Sequence, residues 1–326
     1  MRAIVLFLTP FLLSTVLAQD AEPYGTLIQE GMGLYKEGRY RAAAERFSAA
    51  FESIGWKGFP NDRYNAACCW SLAGVPDSAF AQLTILAERT DYSDLDLLNR
   101  DTDLAPLHAD PRWEPVVAKV RANKERIEAH YDHPLVALLD SIHEEDQRYR
   151  RQMNEMEQAH GRDSEELKAL WRAAERADSL NLIQVKKIID ERGWLGPDVI
   201  GPRGNSTLFL VIQHADLATQ ERYLPIMRQA VKDGRAAGPD LALLEDRVLM
   251  RNDKPQIYGS QIGRFKDTGE FYVAWLDDPE HVDERRAAVG LGPIADYAAI
   301  WNITWDVEAY KKQLPRIREA EKQQPK

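Results

Sequence analysis

The chain has 326 residues, 44% of them hydrophobic and 29% charged, and its formal net charge at pH 7 is −10. This composition is typical of a folded globular protein with room for about two domains. No block of lysine and arginine accompanies the negative charge, which argues against partners such as nucleic acid or an anionic membrane surface.

The N-terminus has the three parts of an export signal. Arg2 supplies a positive charge, residues 4–17 are mostly apolar, and Val16-Leu17-Ala18 places small or light residues before a cleavage point. A membrane anchor is the alternative, but a spanning helix requires about 20 apolar residues, more than this run offers. We therefore predict a signal peptide over 1–18, export to the periplasm or secretion, and no membrane span in the mature chain.

The two cysteines, Cys68 and Cys69, are adjacent in the sequence YNAACCWSLAG. A disulfide between neighbouring residues is strained, and successive helical side chains diverge. Buried thiols in a helix are therefore predicted. Two cysteines alone are too few for a metal site, and the chain has no phosphate-binding glycine motif, so we predict no metal and no cofactor.

The N-terminal third contains an internal repeat. The segments 33–50 and 68–87 align with a spacing of 36 residues, which places Gly38 opposite Gly74 and keeps a small residue and a bulky apolar residue after each glycine. This period is typical of helix–turn–helix solenoid units. The glycine ends the first helix of each unit, and the small residues let paired helices approach closely.

These residues resemble the tetratricopeptide repeat. Residues 94–120 are similar to the degenerate last unit that closes such arrays, so we predict repeats with a cap over 24–131. The resemblance implies a protein or peptide partner bound in a concave groove. The matching positions are Gly31, Gly38, Ala43, Phe47 and Ala50 in the first unit, and Ala67, Trp70, Gly74, Ala79 and Leu83 in the second.

Beyond Pro134 the apolar residues return at helical spacing, which predicts a helical domain over 135–312. Three glycines and two prolines predict a loop over 195–206, and a helix kinked or ended at Pro225 is predicted over 208–227. Apolar runs flanking the turn KDTG predict one small β-hairpin. The charged residues 313–326 predict a frayed tail. The fold class is thus mainly α: helix–turn–helix solenoid repeats plus an α-helical domain with one small β-hairpin.

Polar side chains interrupt the apolar segments of this second domain. An apolar run ending at Ile212 leads directly into Gln213 and His214, and Asp246 and Arg247 stand at the centre of LLEDRVLM. Because an unpaired buried polar group costs about 1–3 kcal/mol, we expect such residues to meet partners from other segments. The predicted site comprises Asp146, Gln147, Arg150, Gln213, His214, Asp216, Asp246, Arg247, Gln256, Tyr258 and Gln261.

Within this set, His214 is the candidate general acid or base, because its ordinary pKa lies near neutrality. Asp246 and Tyr258 are the other candidate catalytic residues. Arg150 and Arg247 are suited to hold an anionic group. The remaining members are candidate ligand-binding residues.

Five motifs in order are similar to an uncharacterised bacterial domain of unknown function, found in secreted or lipoprotein-like chains. The resemblance covers residues 135–310 and implies an architecture but no activity. The motifs are DQRYR, NLIQVKKIIDERGW, QHADLATQ, EDRVLM and PQIYGSQ.

Three hypotheses for function follow from these patterns. The first is an exported interaction protein whose C-terminal domain binds a small polar ligand. The second is a hydrolase-type enzyme that uses His214 as acid or base. In the third, the polar residues form a purely structural buried network.

Overall fold

The structure, a computed structural model, describes residues 24–322. The predicted signal peptide, 1–18, lies outside the described residues. The chain divides into two units, the first ending at Ala129 and the second beginning at His130. Between residues 24 and 322, no helix combines the length and the apolarity that crossing a bilayer requires.

The first unit consists of consecutive antiparallel helix pairs followed by a shorter closing segment. A 3₁₀ turn, Thr102–Leu107, lies within that closing segment. The helices are α1 (Tyr24–Lys36), α2 (Tyr40–Ser53), α3 (Pro60–Leu72), α4 (Pro76–Arg89), α5 (Leu95–Arg100) and α6 (Trp113–Glu128).

The two predicted turn glycines occupy equivalent places in the first unit. Gly38 connects α1 to α2 with φ 75°, and Gly74 connects α3 to α4 with φ 70°. Residues with a Cβ rarely adopt this left-handed conformation, which explains why glycine recurs there. Gly31 packs against Phe47, which is completely buried. The small and bulky residues of the period therefore make the close helix packing that the sequence predicts.

The second unit is also built mainly of helices, and its strands form one antiparallel hairpin that pairs Ile262 with Val273. The predicted fold class is confirmed. The elements are α7 (His133–His160), α8 (Glu165–Arg192), α9 (Pro197–His214), α10 (Leu217–Lys232), α11 (Gly238–Arg251), β1 (Ile262–Arg264), β2 (Phe271–Val273), α12 (Val282–Ala288), α13 (Ile294–Ala299) and α14 (Val307–Lys322).

The prediction of a loop over 195–206 is wrong. Helix α9 begins at Pro197 and contains a sharp kink at Gly201, whose φ of 70° lies in the left-handed region. Pro197 and Pro202 each stand at the start of a helical turn, where proline is favoured because its missing N–H needs no partner. Glycine and proline here mark helix starts and a kink, not irregular chain.

The prediction of one helix over 208–227 is also wrong. Helix α9 ends at His214, Ala215 is extended, and α10 starts afresh at Leu217. The Asp216 carboxylate accepts a hydrogen bond of 2.7 Å from the Thr219 N–H and so caps α10. Pro225 lies inside α10 without ending it. The break makes His214 the last residue of a buried helix.

The predicted frayed tail is helical as far as the structure describes it. Helix α14 extends to Lys322 and buries Ile317 completely. The Glu321 carboxylate accepts a hydrogen bond of 2.8 Å from the Trp275 N–H, and the Tyr310 hydroxyl donates to the Ala274 carbonyl. Residues 313–322 therefore form a helix that packs against the hairpin region, with Arg318 and Glu321 partly buried at Trp275.

Candidate functional site

His214 is held by a buried carboxylate from a different helix. Its Nδ1 lies 2.8 Å from Oδ1 of Asp146, which is on α7 and only 1% exposed. In residues 24–322, no hydrogen bond engages Nε2 of His214, and the side chain is 18% exposed. A hydrogen bond that fixes one ring nitrogen sets the tautomer and leaves the other nitrogen for a ligand.

Asp146 belongs to a wider charged network. The Gln147 amide donates to its Oδ2 at 2.7 Å, and Arg150, one turn along α7, lies 3.3 Å from its Oδ1. Arg150 also makes a two-pronged ion pair with Asp178 of α8, at 2.7 and 3.0 Å. Burial opposes ionisation of Asp146, but the hydrogen bond and charge of His214 and the charge of Arg150 outweigh it and lower the pKa of Asp146.

Arg247 on α11 approaches the same end of α9. Its Nη1 donates to the Gln213 carbonyl and its Nε donates to the Gln261 side chain, both at 3.2 Å. In the described part of the chain, no carboxylate lies within ion-pair distance of Arg247. Burial, reinforced by the charges of Arg251 and Arg150, lowers the pKa of Arg247 to about 10. The guanidinium is still mostly charged at neutral pH and has only neutral acceptors.

Two glutamines beside this end of α9 have incomplete hydrogen bonding. The Gln220 amide donates to the Gln213 carbonyl at 2.7 Å. The side-chain oxygens of Gln213 and Gln220 are buried and have no partner among residues 24–322. An unsatisfied buried acceptor costs about 1–3 kcal/mol, so such groups in a folded protein require an explanation.

Asp246 forms a structural cradle. Its fully buried carboxylate accepts hydrogen bonds from the backbone N–H groups of Ile257, Tyr258 and Ser260 at 2.7–3.2 Å. Burial raises the pKa of Asp246, although these N–H groups favour its ionised form. The residue fixes the chain before β1, and its catalytic role stays a prediction.

Gln256 and Gln261 also hold the chain around β1 in place. The Gln256 amide donates to the carbonyls of Gln261 and Ala274, and its oxygen accepts from the Gln261 N–H. All of these hydrogen bonds hold the protein's own backbone, which gives Gln256 a structural role, and its ligand-binding role stays a prediction. Gln261 instead positions Arg247 through its side-chain oxygen.

Two other predicted site residues point elsewhere. The Tyr258 hydroxyl lies 3.2 Å from Glu245, which is itself paired with Arg228, so the phenol is engaged away from His214. Asp216 is exposed and caps α10. Hydrogen bonds and ion pairs therefore link a group of seven predicted residues around the end of α9: Asp146, Gln147, Arg150, Gln213, His214, Arg247 and Gln261. Gln256 contacts this group through the Gln261 backbone, and the side chains of Asp216, Asp246 and Tyr258 bond elsewhere.

Comparison of the chain with protein-family models finds a match, which covers the candidate site. A family model described as a family of unknown function, DUF6624, matches residues 134–309, more than half of the chain. The chain belongs to DUF6624. No curated protein and no solved structure matches the chain. The matched span contains every residue gathered at the end of α9, so the site is part of the DUF6624 domain.

Asp146, Asp178 and His214 of the DUF6624 domain lie close enough to be tested as metal ligands, since one atom of each is within 4.8 Å of the others. Arg150, however, already contacts both carboxylates at 3.3 Å or less. A metal ion here would lie against that guanidinium, so like-charge repulsion disfavours a metal at this cluster.

Two residues of the candidate site were not predicted from the sequence. Asp178 pairs with Arg150, and Arg251 donates to the Ala215 carbonyl at 2.8 Å and lowers the pKa of Arg247. Asp178 lies in a strongly charged helix where nothing distinguishes it from its neighbours. Arg251 follows Arg247 by one helical turn, and this spacing was the available signal.

Proposed function

We propose that the DUF6624 domain binds a small anionic ligand at the end of α9. Arg247 takes the negative charge, and Nε2 of His214 forms a hydrogen bond to the ligand. The observation that carries the proposal is that Arg247, which contacts only neutral acceptors, bonds the carbonyl of Gln213, the residue before His214, whose outer nitrogen is unengaged.

The surrounding charges support an anion in preference to a cation. Arg150 pairs with both Asp146 and Asp178, whereas Arg247 and Arg251 have no carboxylate within ion-pair distance in residues 24–322, so the three arginines and two aspartates carry a net positive charge. A buried charge without a partner is costly, and an anionic ligand would relieve that cost. A carboxylate or phosphate group also matches the planar fork of a guanidinium.

Binding of inorganic phosphate and of acetate to the full chain tests this proposal. We expect millimolar affinity for such small probes and a change in the Nε2 resonance of His214 during the titration, measured by NMR. Arg247→Gln should remove the binding. Arg228→Gln is the matched control, because Arg228 is paired with Glu245 and does not contact α9 in the described structure. Equal binding by both variants would contradict the proposal.

A second candidate function is hydrolysis with His214 as general base. The Asp146–His214 hydrogen bond has the geometry that orients an imidazole to accept a proton at Nε2. Ser260 is not the nucleophile in this scheme, because it is buried in the Asp246 cradle, so His214 would activate a water molecule. Turnover of chromogenic esters and phosphomonoesters that disappears in His214→Gln, with folding intact, would favour this function.

For the whole chain we propose an exported protein whose N-terminal helix pairs bind a protein or peptide partner. The N-terminal sequence pattern supports export, and the repeated helix pairs with equivalent turn glycines support a repeat that binds partners. Mass spectrometry of the exported chain should find an N-terminus at Gln19. Peptides selected by display on the full chain should protect amides of α1 and α3 from hydrogen exchange. Protection only beyond residue 130 would contradict the partner proposal.

A further inference from the structure

A cavity of about 270 Å³ in the first unit contains an unusual set of donor atoms. Helix α1 contributes Tyr35, α3 contributes Tyr64 and Cys68, and the segment after α5 contributes Asp101 and Asp103. These residues are far from one another in the sequence, and the packing of the helix pair against the closing segment brings them together.

The thiol and the two carboxylates are close to the spacing that a metal requires. Sγ of Cys68 lies 3.6 Å from Oδ2 of Asp101, and one ligand atom from each of Cys68, Asp101 and Asp103 lies within 4.8 Å of the others. In a tetrahedral zinc site with Zn–S near ~2.3 Å and Zn–O near ~2.0 Å, sulfur and oxygen are separated by about 3.5 Å. Small side-chain rotations would bring all three atoms to one centre.

The negative charge of this cluster is not balanced by basic residues. In residues 24–322, neither Asp101 nor Asp103 has an ion pair; each instead accepts a hydrogen bond from a phenol, Tyr64 at 2.8 Å and Tyr35 at 2.6 Å. These phenols orient the carboxylates in the way that outer hydrogen bonds orient metal ligands. A divalent cation would supply the missing positive charge.

A second thiol faces the same cavity. Cys69 is 1% exposed and lines the cavity, and within the described structure its thiol has no hydrogen bond to another residue. The cavity therefore contains a buried sulfur without a protein partner beside the three-donor cluster, an arrangement suited to a thiophilic ion.

We propose that Cys68, Asp101 and Asp103 bind a divalent transition metal of the zinc type, with the fourth position open to water and bordered by Cys69. The sequence predicted no metal site because the two cysteines alone are too few ligands. The two aspartates that complete the set follow more than thirty residues later in the chain. This site is separate from the anion site proposed for the DUF6624 domain and does not depend on it.

Metal binding at this site must release a proton. The Cys68 sulfur donates a hydrogen bond to the Asp101 carboxylate, so it carries its proton in the metal-free cavity. The metal displaces the thiol proton to solvent and bonds to the thiolate, and the affinity therefore rises with pH. The same two carboxylates that disfavour the bare thiolate become ligands once the metal is present.

Cobalt(II) is the probe that tests this site on the full chain. We expect an intense thiolate-to-cobalt charge-transfer band, together with the visible bands of a tetrahedral ion, and displacement of both by zinc. Cys68→Ser should abolish the charge-transfer band, and Asp101→Asn and Asp103→Asn should each weaken binding by at least about tenfold. Asp91→Asn is the charge-matched control, since Asp91 pairs with Arg126 on the surface.

Tyr64→Phe is a second test that leaves all three ligands in place, so it remains informative if the Cys68→Ser variant does not fold. It removes only the hydroxyl that orients Asp101, and loss of such an outer hydrogen bond typically weakens metal binding by about 10- to 100-fold. A wild-type spectrum without a thiolate band would overturn the proposal. Equal cobalt affinity in wild type, Asp101→Asn and Asp103→Asn would also overturn it, because the metal would then be held elsewhere.

Discussion

Replacing Asp146 with asparagine removes the central charge of the α9 site with little change in shape. Asp146 is 1% exposed and its carboxylate contacts His214, Gln147 and Arg150. Breaking a buried ion pair costs about 3–5 kcal/mol. Arg150 retains Asp178, and asparagine retains one acceptor oxygen, so we expect the lower end of this range, about 3 kcal/mol of unfolding free energy.

Glu145→Gln is the matched control, because it neutralises the preceding carboxylate on the same helix. Glu145 pairs with Arg148 at 3.4 Å on the surface, and such pairs contribute about 0–1 kcal/mol. Urea denaturation followed by hydrogen exchange of peptides from α7 and α9 measures the stability of the second unit alone. A loss for Asp146→Asn within about 0.5 kcal/mol of the control would refute the assignment of a buried, structurally coupled charge.

The pH dependence provides an independent check on the same residue. The pKa of Asp146 is lowered, so its ionised form stabilises the fold above the ordinary carboxyl pKa of 3.8, and this contribution is lost as the pH falls through the lowered value. The stability gap between wild type and Asp146→Asn should be full at pH 7 and shrink below about pH 4. A gap that widens in acid would contradict this interpretation.

Two further predictions concern packing. Gly31→Ala places a methyl group 3.1 Å from the buried Phe47 ring, whereas Gly33→Ala in the same helix meets no atom within 4 Å. Calorimetry should therefore find Gly33→Ala more stable than Gly31→Ala by about 1–3 kcal/mol. Equal stabilities of the two variants would contradict the close helix packing. Ile317→Ala removes a completely buried side chain and should cost about 2–5 kcal/mol in urea denaturation. Ile300→Ala is the control, because Ile300 is 73% exposed, and it should change stability by less than about 0.5 kcal/mol. A similar loss in both variants would show that α14 does not dock on the hairpin region.

The repeat of the first unit could be predicted because its signal is local and recurs. Gly38 and Gly74 each occupy a left-handed turn, and the spacing of 36 residues was visible without any structure. The helix of 313–322 could also have been found, since Tyr310, Leu314 and Ile317 are spaced by four and three residues in a charged segment. The charge of this segment suggested a frayed tail, whereas the spacing of its apolar residues predicts the helix that the structure shows.

The sequence predicted part of the candidate site's membership but not the direction in which each side chain points. His214, Arg247 and Asp246 were all identified as polar residues in apolar helices, yet only the structure shows that Asp246 faces the chain before β1 while Arg247 faces α9. Adjacent helical residues point about 100° apart, and which one meets which neighbour depends on the packing of distant helices. The kink at Gly201 was hidden for a similar reason, since glycine and proline are compatible with a loop and with a helix start.

The docking of α14 on the hairpin region has a consequence for the order of assembly. Tyr310, Ile317 and Glu321 all lie beyond the span that the family model matches, but they bury or bond the segment around Trp275. During synthesis, the bundle of α7 to α11 can close on its own apolar cluster before these residues emerge. The segment around Trp275 gains these contacts only afterwards, so we expect the hairpin half to complete its packing last.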